Sequence, residues 1–250
     1  MKILNIFGKY NYILRKKIIS FQPTFFKRIQ ARKYWEKKSY NKEDGSAYDM
    51  SKGHKFDEAL RILDKFFELN SMQSVLEFGC NRPLNLSYLA EKNNFSELIG
   101  IDISRNVFEI TERLKTSNYK PLLGDVKILN GFKNDTVDFS FTWSVLDHIP
   151  DKKEVISIIE NLIRVSKKHC FFIEPYIEGV ETDASLKSRG EIKQDLEFKY
   201  KTFYKYSYFW DYIEIFNNLG IQPLIFDIPL HKHSLGPFYK IFLITKQKYH

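Results

Sequence analysis

Ser74-Val-Leu-Glu-Phe-Gly-Cys-Asn-Arg-Pro83 begins as an apolar run of strand length and breaks at a glycine. Gly79 lets the backbone turn sharply, Asn81 tolerates left-handed geometry, and Pro83 suits the first position of a helix. The spacing therefore predicts strand, tight turn and helix, with Ser74–Phe78 as the strand and Leu84–Lys92 as the helix. Downstream the alternation continues. Leu98–Ile103 reads as strand, Asn106–Leu114 as helix, and Pro121–Leu123 and Val137–Trp143 as strands. Asp151 opens a helix with Val155, Ile156, Ile158, Ile159, Leu162 and Ile163 on its buried side, and Cys170–Ile173 is a further strand. Upstream, Phe56, Ala59, Leu60, Leu63, Phe66 and Phe67 mark one face of a helix reaching about Leu69. Strands alternating with helices imply parallel pairing through right-handed crossovers, an α/β fold with a doubly wound, mostly parallel sheet. Past Pro175 come a polar excursion at 177–197, aromatic residues from Phe198 to Trp210, a helix to about Leu219, and two strand-like runs, Pro223–Ile228 and Phe238–Thr245.

With 250 residues, 43% hydrophobic and 28% charged, the chain has a globular composition, not a disordered, collagenous or disulfide-scaffold one. No uncharged apolar stretch approaches the ~18–20 residues of a membrane-spanning helix. Lys2, Lys9, Arg15, Lys16 and Lys17 break up the first twenty residues, against a cleaved signal peptide. Two cysteines, Cys80 and Cys170, fall in or beside strands, which fits a reducing, cytoplasmic compartment. Charge is uneven: residues 1–42 hold twelve Lys or Arg against Glu36 alone, whereas the remainder holds 27 basic and 30 acidic residues. This divides the chain into a basic amphipathic N-terminal arm and linker, 1–53, and a domain, 54–250, with an insertion around 177–210. Ile3, Leu4, Ile6, Phe7, Tyr10, Ile13 and Leu14 recur at near-helical spacing among the basic residues. Such a helix can lie on an anionic membrane, making the protein peripheral to it, or pack on the domain; nucleic acid is a less favoured partner.

In open α/β sheets, ligands bind beyond the carboxyl ends of the strands. Three of these ends carry suitable chemistry. The first is Glu77-Phe78-Gly79-Cys80-Asn81. The second is Asp102, twenty-three residues after Gly79, a carboxylate able to accept from both hydroxyls of a ribose. The third is Asp125, twenty-three residues further, able to accept from an exocyclic amine. After the fourth strand stands His148, a candidate general base. Asp147, Glu174 and Tyr176 are candidates for holding an acceptor.

Together and in this order, residues 54–176 resemble the class I S-adenosylmethionine-dependent methyltransferases. Val75-Leu-Glu-Phe-Gly-Cys-Asn81 is similar to that family's first motif, Ile99-Gly-Ile-Asp-Ile-Ser104 to its second, and the tract from Asn134 through Trp143 to Asp151 to the later motifs of small-molecule members. The resemblance implies a Rossmann-like, seven-stranded methyltransferase sheet ending in an antiparallel strand, with S-adenosylmethionine as cofactor. It implies that Glu77, Gly79, Cys80 and Asn81 frame the amino-acid part of the cofactor, Asp102 and Ile103 the ribose side, Asp125 and Val126 the adenine, and Thr142 and Trp143 its other flank. One departure stands out: the family's alternating glycines are here Asn81 and Pro83, and proline removes a backbone donor where a helix begins.

A dinucleotide pyrophosphate wants Gly-x-Gly-x-x-Gly, and Gly79-Cys-Asn-Arg-Pro-Leu84 offers one glycine. The six histidines show no metal-ligand spacing beyond His231-x-His233, so no metal is expected. Thr142-Trp143-Ser144-Val145 lacks the Pro-Pro turn of base-amine methylation in resembling families. The expected acceptor is therefore a small molecule, a saccharide or glycan, or a lipid-linked intermediate. The alternative is a catalytically degenerate scaffold whose arm binds RNA, membrane or a protein.

Overall fold

The computed structural model describes residues 24–37, 55–109, 112–115, 118–176, 182–183, 207–228 and 239–246. In chain order its elements are α1 (Thr24–Lys37), α2 (Lys55–Leu63), β1 (Ser74–Phe78), α3 (Leu84–Lys92), β2 (Glu97–Asp102), α4 (Glu112–Lys115), β3 (Tyr119–Leu123), β4 (Val137–Trp143), α5 (Lys152–Val165), β5 (Ser166–Pro175), β6 (Thr182–Asp183), β7 (Tyr208–Phe209), α6 (Tyr212–Asn218), β8 (Leu224–Asp227) and β9 (Tyr239–Thr245). Seven strands form one sheet in the order β3-β2-β1-β4-β5-β9-β8. β1 to β5 pair in parallel, and β9 runs antiparallel to both β5 and β8.

All five residues of β1 are buried, because a strand in the middle of a parallel sheet is covered on both faces. Its side chains alternate between two cores. Val75 joins Phe56 and Leu63 of α2, Leu86 and Leu89 of α3, and Phe139, Phe141 and Phe171 of the sheet. The Phe141 and Phe171 rings stack with centroids 5.0 Å apart. Leu76 and Phe78 face the other way, toward Val155, Ile158, Ile159 and Leu162 of α5 and Ile215 and Phe216 of α6. Each such fully buried aliphatic side chain contributes about 1.5–3 kcal/mol of burial free energy. Register is fixed by a polar bolt at the buried edge of this core: Asp138 Oδ2 accepts from the backbone N–H groups of Gln73 at 2.6 Å and Ser74 at 3.0 Å, tying the start of β1 to β4.

The sheet, its mostly parallel pairing and the closing antiparallel strand agree with the fold expected from the sequence. Several strand ends shift by one or two residues, and three boundaries differ more. The helix expected to reach Leu69 ends at Leu63, and a 3-10 turn follows at Leu69–Ser71. The helix expected over 106–114 is interrupted: a 3-10 turn, Arg105–Phe108, is capped by the Ser104 hydroxyl accepting from Asn106 N–H, and α4 follows. β5 extends over ten residues, so its last turn-like residues, Glu174 and Pro175, lie inside the sheet, paired with Lys240 and Tyr239 of β9. The amphipathic stretch at 3–14 and the aromatic residues at 198–206 lie outside the described residues.

Candidate active site

The turn after β1 is shaped by backbone bonds to its neighbour. Gly79 N–H donates to Ile101 O at 2.7 Å, and Cys80 N–H to the same oxygen at 3.1 Å. Gly79 has φ +76°, and a Cβ there would sit 2.4 Å from Val145 Cγ2, so glycine is required by conformation and by space. Asn81 follows at φ +45°. Asp102, at the end of β2, stitches the turn down: one carboxylate oxygen accepts from Asn81 N–H at 2.7 Å and the other from Ser104 N–H at 2.7 Å. Asn106 Nδ2 donates to Asn81 Oδ1 at 2.6 Å and fixes that side chain. Asp102 and Ile103 remain partly accessible. The Ile103 N–H adds a third donor, which leaves the Asp102 carboxylate one lone pair for a ligand.

Glu77 is buried beneath this turn. Its Oε1 accepts from Asn85 Nδ2 at 2.7 Å, while Oε2 is buried with no hydrogen-bond partner. Burial pushes the Glu77 carboxyl up to about 8, with Asn85 opposing. The folded state thus holds a proton that the unfolded chain releases near its ordinary carboxylate range. Stability from this group is complete below that range and is lost as pH rises through about 8. The ligand-free protein is accordingly expected to melt at progressively lower temperature between about pH 5 and 8. Burial pushes Asp147 and Glu174 up over the same range, so Glu77→Gln should make that profile shallower in differential scanning calorimetry without abolishing it; equally steep profiles for both proteins would remove Glu77 as a source.

Cys80 is buried, and its side chain packs inward: a Cβ on Gly100 would lie 2.9 Å from Cys80 Sγ and 2.6 Å from the Tyr119 hydroxyl. Burial raises its thiol well above the ordinary range. At the end of β3, Asp125 Oδ1 accepts from Lys127 N–H at 3.0 Å, and Oδ2 accepts from Arg32 Nη1 of α1 at 2.6 Å. Burial opposes ionisation of Asp125, but the Lys127 N–H and Arg32 outweigh it and hold the carboxyl below its ordinary value. Val126 is half-buried beside it.

The loop after β4 carries the remaining candidates. Ser144 adopts φ +51°, a left-handed conformation uncommon for a non-glycine residue. It is held by its N–H donating to Ile173 O at 2.8 Å and by hydroxyl contacts to Tyr239 Oη at 2.8 Å and Asp147 Oδ1 at 3.2 Å. Glu174 braces the next two residues: it accepts from Thr142 Oγ1 at 2.7 Å and from Val145 and Leu146 N–H, each at 3.1 Å. Trp210 Nε1 clamps the same loop by donating to Leu146 O at 3.0 Å. His148 then emerges with Nδ1 3.5 Å from Asp147 Oδ2. The ring of Trp35, from α1, lies over it with centroids 4.0 Å apart.

The three acceptor-side candidates are all buried. Glu174 is fully enclosed and its oxygens are spent on the loop, so it holds His148's loop in place and presents no surface to a ligand. Tyr176 packs against Tyr212 and Phe242 in the core. Asp147 is buried beside His148. Burial pushes both Asp147 and Glu174 up, and their proximity raises Glu174 further. Thr142 is likewise turned inward, toward Glu174, while Trp143 meets Phe56 edge-on at 5.5 Å. Sequence patterning did not single out Arg32, Trp35, Ser144 or Val145. Arg32 and Trp35 sit on a helix far away in sequence, and Ser144 acquires its role only through its backbone conformation. Among the described residues, no group of three or more His, Cys, Asp or Glu side chains could hold a metal ion.

A family profile described as a methyltransferase domain matches residues 51–216. Phosphoethanolamine N-methyltransferase 2 of Caenorhabditis elegans is 27% identical over 172 residues, which cover 65% of this chain and 38% of that protein. The chain thus spans well under half the length of that curated relative. Among solved structures, a S-adenosylmethionine-dependent methyltransferase from Leishmania major superposes with a TM-score of 0.63 at 12% identity, over 88% of this chain and 83% of that one. Magnesium protoporphyrin IX methyltransferase from Synechocystis PCC 6803, solved with S-adenosylhomocysteine, gives 0.52 at 18% identity, over 93% and 99%. These two likenesses speak to the fold. With the family profile covering the five parallel strands and every motif around their carboxyl edge, the chain belongs to the class I S-adenosylmethionine-dependent methyltransferases, whose cofactor is S-adenosylmethionine.

Proposed function

We propose that this protein methylates a small molecule at a nucleophilic nitrogen or oxygen, with His148 as the group that takes the proton. One observation carries this: His148 Nδ1 faces the buried Asp147 carboxyl at 3.5 Å, on a loop braced by Glu174. At this distance the contact is electrostatic: when Asp147 is ionised it steers the imidazole and favours the protonated ring that forms as His148 takes a proton. A primary or secondary amine is the favoured acceptor. The C. elegans relative, named for methylation of phosphoethanolamine, supports an amine, although this chain spans only part of it.

The residues present fit the cofactor. The orphaned, buried Glu77 Oε2 calls for a donor such as an ammonium, and Asp102 retains acceptor capacity for a hydroxyl. In this assignment Glu77, Gly79, Cys80 and Asn81 frame the amino-acid end, with Cys80 acting through its backbone. Asp102 and Ile103 serve the ribose, Asp125 and Val126 the adenine; Trp143 flanks it, and Thr142 acts through Glu174. When bound, S-adenosylmethionine supplies an electrophilic methyl on a sulfonium that is already a good leaving group. The protein's work is then to hold the acceptor close and dry and to keep its lone pair free.

The first test is calorimetric titration of S-adenosylhomocysteine into wild type and Asp102→Ala. Loss of a hydrogen bond to a charged group costs about 1.5–3 kcal/mol, so the variant should bind roughly ten- to a hundredfold more weakly. Wild-type protein that is folded yet binds no cofactor would instead support the scaffold alternative. A cytoplasmic location, with residues 1–42 touching an anionic membrane, belongs to the same proposal, and co-sedimentation with phosphatidylserine vesicles tests the membrane contact. Arg28 and Arg32 spend their charge on the domain, which shifts the weight of that contact to the rest of the arm.

A further inference from the structure

Among the residues of α1 with described side chains, Ala31 is the buried one. The contacts these residues make with the site are ionic and aromatic. Arg28, Arg32 and Trp35 recur at helical spacing on a single face, and each meets a different part of the site's rim. Arg28 Nε lies 2.8 Å from Glu154 Oε2, and its Nη1 lies 3.7 Å from Asp151 Oδ2, at the start of α5. Arg32 Nη1 lies 2.6 Å from Asp125 Oδ2, after β3, while its Nε is steadied by Glu36 at 2.7 Å. Trp35 covers the His148 ring after β4. The helix therefore bridges the ends of two strands and the N-terminus of a helix, the same edge on which the proposed cofactor and acceptor residues lie.

We propose that α1 is a strap that completes the cofactor site, clasped by the Arg28–Glu154 pair, with Arg32 as the positioning residue for Asp125. This rests on the assignment of Asp125 to the adenine. Arg32 and Lys127 N–H each occupy one lone pair on a different oxygen of Asp125, so the carboxylate is oriented without being exhausted, and each oxygen can still accept from an amine. A strap over this edge must lift for the cofactor to leave, so its electrostatic clasp sets the release rate.

The test uses the full chain and stopped-flow release of S-adenosylhomocysteine. Arg28→Glu puts like charges together at the clasp and is expected to speed release about five- to tenfold. Combining it with Glu154→Arg restores an ion pair of opposite polarity and should return the rate to within twofold of wild type. Neither residue is assigned to the cofactor. At the positioning contact, Arg32→Ala should weaken S-adenosylhomocysteine binding several-fold, and Arg32→Lys should recover most of the loss. Wild-type release from Arg28→Glu, or a double variant that melts like wild type yet stays fast, overturns the strap. Failure of wild type to bind S-adenosylhomocysteine at all would overturn the adenine assignment as well, which separates the two failures.

Discussion

Gly79→Ala is expected to destabilise the domain by about 3 kcal/mol and to abolish measurable cofactor binding. Two costs combine. A left-handed φ costs a non-glycine residue roughly 1–2 kcal/mol, and an overpacking clash typically costs about 1–3 kcal/mol. The clash is specific: the added methyl meets both Val145 methyl carbons, at 2.4 and 2.5 Å. Relief can come only by moving the Val145 loop, which Glu174 and Trp210 hold from the other side. The companion variant Val145→Ala should therefore recover the clash portion and leave the conformational portion. Urea denaturation of the two single variants and the double separates them. Simple additivity of the two losses would show that Val145 is not what the new methyl meets.

His148→Ala is expected to lower kcat by roughly a hundredfold or more, the usual range for losing a positioned general base, with S-adenosylhomocysteine affinity within about twofold of wild type. The measurement begins with transfer of labelled methyl from S-adenosylmethionine to a panel of small amines and alcohols, and the variant is compared on the best acceptor. For an amine acceptor the deficit has a signature: as pH approaches the amine's own pKa, free amine replaces the missing base, and the variant should recover about tenfold per unit while wild type levels off. A loss of kcat that does not recover with pH would assign His148 to shaping the pocket under Trp35, not to proton removal.

How far the sequence reached depends on which interactions carry each element. β1, α3 and β4 were legible to the residue, because an apolar run bounded by Gly79, Pro83 or Trp143 leaves few other boundaries. Glu174 was legible as a strand-end acid but not as an inward one, since that depends on β9 extending its pairing to Pro175. Asp102 and Gly79 could be singled out from their place after strands. The Arg32–Asp125 pair could not, because its partners stand 93 residues apart and a charged helix without an apolar stripe gives no sign of where it docks.

The strand order also has a consequence for how the chain is made. β9 is the last of the described strands, yet it lies inside the sheet, between β5 and β8. While the ribosome works through the residues before 239, β1 to β5 can already pair, but the outer edge of β5, with its buried phenylalanines, has no permanent neighbour, and β8 has nothing to pair with. Such an open edge during synthesis is where a nascent chain recruits chaperones or finds a wrong partner. Closure of this sheet thus waits on the emergence of Tyr239–Thr245, after β1 to β5 and β8 have all been made.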